Sequence, residues 1–270
     1  MASDIPGVAV VSVDSLANGY RPLNFAGYLS GRGHFDPSVL KRMSSEWDSY
    51  EYSCSRGYDC FERTMDIMTY LFGEGIAGQK KEHIKELGRD FSRVHGPDVF
   101  PGSQELVRRL YACDFRTLAV SESPIEAVAP LARELGFDRT YATRYASSRG
   151  VYTGGVKRCY TGTRSGFNAV QEFLDRNGPV GESKKTHLGR VGTFLLIGSH
   201  PLHDPYLLLS GMPDLNAHSF VINKEIRDHP DCVARKVLYD WPVLGTPEDM
   251  LTHREIVDVL GIPEIPRKVA

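Results

Sequence analysis

The residues best placed for chemistry stand at the ends of apolar runs. Val8-Ala9-Val10-Val11 leads into Ser12-Val13-Asp14, so a hydroxyl and a carboxyl close a buried segment. A serine hydroxyl attacks poorly without an adjacent base. Asp14 could be that base, but residues along a strand are separated, so the turn must fold Asp14 back. The plain reading of Ser12 is a small polar residue at a strand end. Arg116 to Val120 leads into Ser121-Glu122-Ser123-Pro124. The Ser121 hydroxyl, followed by a helix N-terminus, could donate to a phosphate oxygen. It could equally cap the helix starting at Pro124. Val191 to Ile197 leads into Gly198-Ser199-His200-Pro201-Leu202-His203-Asp204. His200 and His203, with Asp204 and Asp14, could take Zn²⁺ or Mn²⁺. Solvent-facing histidines are the plain alternative.

These positions need elements to hold them. Val8 to Val13 is apolar except for Ser12, as suits a strand buried on both faces. Residues 18–96 are rich in aromatic and charged residues and mostly helical in period. Phe61, Met65, Met68, Leu71 and Phe72 share one helical face, and Lys80 to Val94 repeats the pattern. From Val99 the pattern changes. Phe100-Pro101-Gly102-Ser103 is a turn that caps a helix carrying Leu106, Val107 and Leu110. A further helix runs from Ile125 to Gly136, another from Gly166 to Leu174, and Ser219 to Ile222 is a strand. Strands alternating with helices predict an α/β fold with a parallel sheet covered on both faces. The ligand site of such a sheet lies beyond the C-terminal ends of its strands, where Ser12, Asp14, Ser121 and the 198–204 loop fall.

Composition narrows the classes. The chain has 270 residues, 41% hydrophobic and 24% charged, which suits an ordinary globular core with room for an inserted domain. A net charge of −2 gives no field for nucleic acid or an anionic membrane. No apolar run approaches the ~20 residues of a membrane span. Met-Ala-Ser-Asp-Ile-Pro lacks the basic and apolar regions of a signal peptide. Cys54, Cys60, Cys113, Cys159 and Cys232 are odd in number and form no Cys-x-x-Cys, so reduced thiols and a cytoplasmic location are expected.

Several motifs occur in order and at sensible spacing: Pro101-Gly102 before a helix, Ser121-Glu122-Ser123-Pro124 after a strand, Leu135-Gly136-Phe137-Asp138, and Gly150-Val151-Tyr152-Thr153-Gly154. Tyr141-Ala142-Thr143, Val221-Ile222-Asn223 and Asp240-Trp241-Pro242 accompany them. Together they resemble the haloacid dehalogenase superfamily, most closely its phosphoserine-phosphatase-like branch. The resemblance implies a Rossmann-like core, residues 1–17 and 97–270, and a helical cap at 18–96 inserted after the first strand. It also implies a chemistry in which a first Asp attacks phosphorus and a second, two residues on, protonates the leaving group. A Ser or Thr holds the phosphate, a Lys steadies the charge, and acids after a late strand hold Mg²⁺.

Set against that pattern, Ser12 occupies the nucleophile position and Asp14 matches the general acid/base. Ser15 and Leu16 depart from the small residue and Thr that follow. Ser121 matches the phosphate-holding residue. Cys159-Tyr160-Thr161-Gly162-Thr163-Arg164 resembles Cys-x-Gly-x-x-Lys with the glycine displaced by one, which makes Arg164 the substitute cation and Lys157 a second candidate. Ser199 replaces the first acid of the metal loop; Asp204, or His203 in a shorter spacing, stands at the second. At most one of the family's metal ligands remains, so Mg²⁺ is implied by the resemblance but poorly provided for by the residues. Two expectations follow. One is a non-catalytic protein on a phosphatase fold that binds a small phosphorylated ligand or a protein partner. The other is a phosphomonoester phosphatase or phosphotransferase with altered chemistry, using Asp14 as acid/base, Arg164 as cation, and water or Ser12 as attacker.

Overall fold

The computed structural model describes residues 5–18, 21–56, 58, 60–95, 98–160, 165–177, 191–199, 204–222 and 241–260. Arg164, His200, His203, Asn223, Cys232 and Asp240 lie outside them. Among the described residues a seven-stranded sheet runs in the order β4-β3-β2-β1-β5-β6-β7. The strands are β1 (Ile5–Ser12), β2 (Phe115–Pro124), β3 (Arg139–Ser148), β4 (Val151–Arg158), β5 (Val191–Gly198), β6 (Ala217–Ile222) and β7 (Val243–Leu244). All neighbours pair in parallel except β3 and β4. The sheet is thus mostly parallel, as expected of a Rossmann-like core, with one antiparallel edge pair. Ser148 pairs with Val151 around Arg149-Gly150, both at positive φ, a turn whose twist suits a two-residue hairpin.

The strands alternate their apolar residues between two clusters, as a period of two requires. Ala9, Val11, Ala119, Leu195 and Ile197 face one cluster. Val8, Val10, Leu118, Val120, Phe194 and Leu196 face the other, against Val170, Phe173 and Leu174 of a helix at Ser165–Asn177. Four helices lie between β1 and β2 and pack on the first face: α1 (Pro22–Ser30), α2 (Pro37–Ser55), α3 (Phe61–Gly75) and α4 (Lys81–His95). Phe25 and Leu29 of α1, Met68 and Phe72 of α3, and Ile84 and Phe91 of α4 join the same cluster as the strands. Each such side chain, fully withdrawn from water, contributes roughly 1.5–3 kcal/mol. The helical insertion is therefore bonded to the sheet by one continuous apolar core. Next come α5 (Ser103–Ala112) and α6 (Ile125–Leu135), then α7, the Ser165–Asn177 helix. Two short helices, α8 (Pro247–Met250) and α9 (Arg254–Leu260), close the described chain. Cys54, Cys60 and Cys113 stand as thiols. No helix of the described residues is long and apolar enough to cross a membrane.

Candidate functional site at the strand ends

Ser12 is the last residue of β1, and the chain then turns through a 3-10 helix at Val13–Ser15. The turn is tightly held. Ser15 Oγ donates to Ser12 O at 2.6 Å, and the Leu16 and Ala17 amides donate to Val13 O at 2.9 and 3.1 Å. Leu16 O in turn accepts from the Phe100 amide at 2.8 Å and from Ser103 Oγ at 2.9 Å. So Ser103 does not cap α5 with its side chain. Gly102 is the N-cap, and the serine hydroxyl ties the α5 entrance to the turn after β1.

The register brings the serines of three strands together. Ser12 pairs with Val120, the residue before Ser121, and Val11 pairs with Ile197, two residues before Ser199. Neighbouring strands lie about 4.8 Å apart, so Ser121, Ser12 and Ser199 stand at the C-terminal ends of the adjacent strands β2, β1 and β5, Ser121 and Ser199 one residue beyond the level of Ser12. Ser12 and Ser121 are each 4% exposed. Ser121 Oγ accepts from the Ser123 amide at 3.2 Å. It is not the helix cap: β2 runs on to Pro124, which is the N-cap of α6 and offers no side-chain bond. The first turn of α6 thus begins beside the Ser121 strand end, where the Glu126 carboxyl accepts from its own backbone amide.

Asp14 lies in the 3-10 turn. It is an exposed position, yet the protein packed around the turn penalises its charged form. That low-dielectric surrounding raises its pKa above the ordinary carboxyl value, and the Arg21 guanidinium draws it partway back. No hydrogen bond joins the Ser12 hydroxyl to Asp14 among the described residues. The turn brings Asp14 to the site without making it a base for Ser12. Arg21 itself stacks over Trp47 of α2, its Cζ 4.8 Å from the ring centroid. Sequence reasoning missed Arg21, because its two partners come from different elements.

The loop after β5 closes on itself. Asp204, 8% exposed, turns Oδ2 back to accept from the Ser199 amide at 2.6 Å and from Ser199 Oγ at 3.1 Å. Gly198 makes this closure possible, since a Cβ there would stand 2.9 Å from that oxygen and 2.8 Å from Leu207. Mg²⁺ is bound through carboxylates, waters and substrate phosphate. Among the described residues, β1 and β5 end in the hydroxyls of Ser12 and Ser199 rather than in carboxylates, Asp14 follows in the turn, and one Asp204 oxygen is already engaged. Hydroxyls at both strand ends fit the ion poorly. No group of three histidine, cysteine or acidic side chains that could hold a metal exists among the described residues. Lys157 is exposed on the antiparallel edge strand β4, three strands away from β1.

The model of the haloacid dehalogenase-like hydrolase family matches residues 36–184, a segment containing Ser121. A search of curated proteins finds no significant match. Solved structures share the fold at low identity. A protein of unknown function from Bordetella pertussis Tohama I is 18% identical with a TM-score of 0.64, covering 88% of this chain and 98% of its own. A phosphoserine phosphohydrolase-like protein from Francisella tularensis subsp. tularensis SCHU S4 is 16% identical with a TM-score of 0.54, covering 91% and 98%. Cytosolic 5'-nucleotidase IIIB, bound to cytidine, is 12% identical with a TM-score of 0.59, covering 94% and 85%. With more than half of its length matched by the family model, and with the parallel sheet and motif order described above, the chain belongs to the haloacid dehalogenase-like hydrolase family.

Proposed function

We propose that this protein is a non-catalytic member of the family that binds a small phosphomonoester at the ends of β1, β2 and β5. The observation that carries the reading is the placement of Ser121, Ser12 and Ser199 at adjacent strand ends. Aspartyl phosphoryl transfer needs a carboxylate at the end of β1, both to attack phosphorus and to ligate the metal. Ser12 does neither, and no base is hydrogen-bonded to it among the described residues. Nucleophile and metal ligands act as one unit, so losing either removes most of the rate. Binding asks for less. The Ser121 hydroxyl and the Arg21 charge can hold an oxyanion without a metal. The insertion of residues 18–96 would act as the cap over that ligand, and the cytoplasm as its location.

A second reading rests on Asp14. A carboxyl with a raised pKa in the turn after β1 can carry a proton and deliver it to a leaving group. In that case the protein would hydrolyse a phosphomonoester with water as attacker, and Arg164 as a further cation.

The test is phosphatase turnover with Mg²⁺ or Mn²⁺ on a panel that includes phosphoserine and nucleoside monophosphates. Wild type, Asp14→Asn and Ser12→Asp/Ser199→Asp proteins would be compared, with phosphate binding followed by calorimetry. No wild-type turnover, phosphate binding weakened about tenfold by Ser121→Ala, and some activity in the restored variant is the expected result. Wild-type turnover that vanishes in Asp14→Asn would overturn the non-catalytic reading in favour of the second.

A further inference from the structure

The helical insertion is tied to the core through the β3–β4 hairpin. The connection between α3 and α4 lies along the outer edge of β4, where Lys80 and Val151 form an antiparallel bridge. The Gly78 amide donates to Tyr152 O at 2.9 Å, the Tyr152 amide to Gln79 O at 3.0 Å, and the Lys81 amide to Gly150 O at 2.9 Å. Two close approaches of backbone flank this seam. A Cβ on Gly73 of α3 would stand 2.4 Å from Gly154 O, and one on Gly88 of α4 would stand 1.9 Å from Glu126 O. The Tyr152 side chain then crosses to the core helix α6, where its hydroxyl donates to Glu126 Oε1 at 2.6 Å. One residue thus holds the insertion with its backbone and α6 with its side chain. The far end of that bond is poorly provided for a charge. Glu126 is 6% exposed, and its Oε2 is buried without a hydrogen-bond partner. The hydroxyl of Tyr145 on β3 is buried and unpartnered as well. A neutral carboxyl tolerates such a place far better than a carboxylate does.

We propose that Glu126 and Tyr152 form a proton-dependent latch between the core and the helical insertion, closed while Glu126 is protonated and loosened when it ionises. The charges around the pair are mixed. Lys81 of α4 and Arg144 of β3 favour the carboxylate, Glu82 of α4 acts on the Tyr152 phenol, and Cys159, just after β4, acts on Tyr145. Burial outweighs the two cations and raises the Glu126 pKa. Opening the latch lets water reach the carboxyl and returns it to ordinary acidity. Between the ordinary and the folded value the ratio of open to closed forms therefore rises by up to about tenfold per pH unit. Below the ordinary value the ratio is constant. The latch sets how firmly residues 18–96 stay docked, whether or not the strand-end site turns over its ligand. It also lies close to that site along the chain, since α6 begins directly after the strand that carries Ser121.

Amide hydrogen exchange of the full chain, followed by NMR from pH 5 to 8 and corrected for intrinsic rates, tests this. The latch amides Gly78, Lys81 and Tyr152 are compared with Val10 and Leu196 at the centre of the sheet, in wild type and Glu126→Gln. In the wild type, latch protection should fall at least tenfold across the range. Low urea should leave latch exchange unchanged while it speeds the central amides, the mark of a local opening. In Glu126→Gln the pH dependence should vanish. Latch protection that stays level with pH in the wild type would overturn the proposal, and that profile decides alone should the variant not fold. An equal fall in Glu126→Gln would overturn it too, since another group would then titrate. So would latch amides that exchange only in step with Val10 and Leu196, because the seam would then open only when the whole chain unfolds.

Discussion

Glu126→Gln should flatten the dependence of stability on pH. Glu126 stands in the first turn of α6 and is 6% exposed. Tyr152 Oη on β4 donates to its Oε1 at 2.6 Å, while Oε2 is buried without a hydrogen-bond partner. Burial raises the Glu126 pKa above the ordinary 4.5; the Tyr152 bond, Lys81 and Arg144 lower it in part. A folded-state pKa above the unfolded one gives a stabilisation fully present below about pH 4.5 and lost as pH rises through the folded value. Between those two values the loss is steepest, up to about 1.4 kcal/mol per pH unit. At roughly 2–4 °C per kcal/mol for a chain of this size, that is a melting shift of several degrees per unit. Glutamine keeps an acceptor for Tyr152 and does not titrate. Its amide nitrogen enters the unpartnered position, a roughly constant penalty of about 1–3 kcal/mol. Urea unfolding followed by circular dichroism from pH 4.5 to 8 should therefore show the wild-type curve falling toward the variant's. In Tyr152→Phe the bond that lowers the Glu126 pKa is gone, so the falling limb should extend to higher pH. Parallel wild-type and Glu126→Gln curves across the whole range would refute the reasoning.

Three further outcomes are expected. Gly88→Ala places a Cβ 1.9 Å from Glu126 O, where α4 crosses α6, and should cost about 1–3 kcal/mol or more in denaturant unfolding because backbone must move. Arg21→Gln removes a charge that draws the Asp14 pKa down, so carboxyl carbon NMR should show Asp14 titrating at higher pH than in the wild type. Asp204→Ala takes the shared acceptor from the Ser199 amide and hydroxyl. The cost is about 1–3 kcal/mol, and the Ser199 amide should exchange faster with solvent.

The sequence by itself determined which face of each element is buried and which residue types stand where the strands end. The unbroken apolar run Val8–Val11 and the helical spacing in Phe61–Phe72 encode burial directly, the first on both faces of a strand and the second on one face of a helix. Serine at positions 12 and 199 is a matter of residue type at the close of an apolar run, so a hydroxyl rather than a carboxyl at each is legible in the chain alone. The antiparallel turn of β4 is not, since pairing direction depends on the Arg149-Gly150 turn and on which edge remained open. Tertiary structure alone decided the partners. Arg21 between Asp14 and Trp47, Asp204 folded back on Ser199, Tyr152 on Glu126, and His34 against His83 each join residues 5 to 49 positions apart. Periodicity says that a side chain is turned inward. It does not say which element it will meet there, and the charge or orphaned oxygen arises only from that meeting.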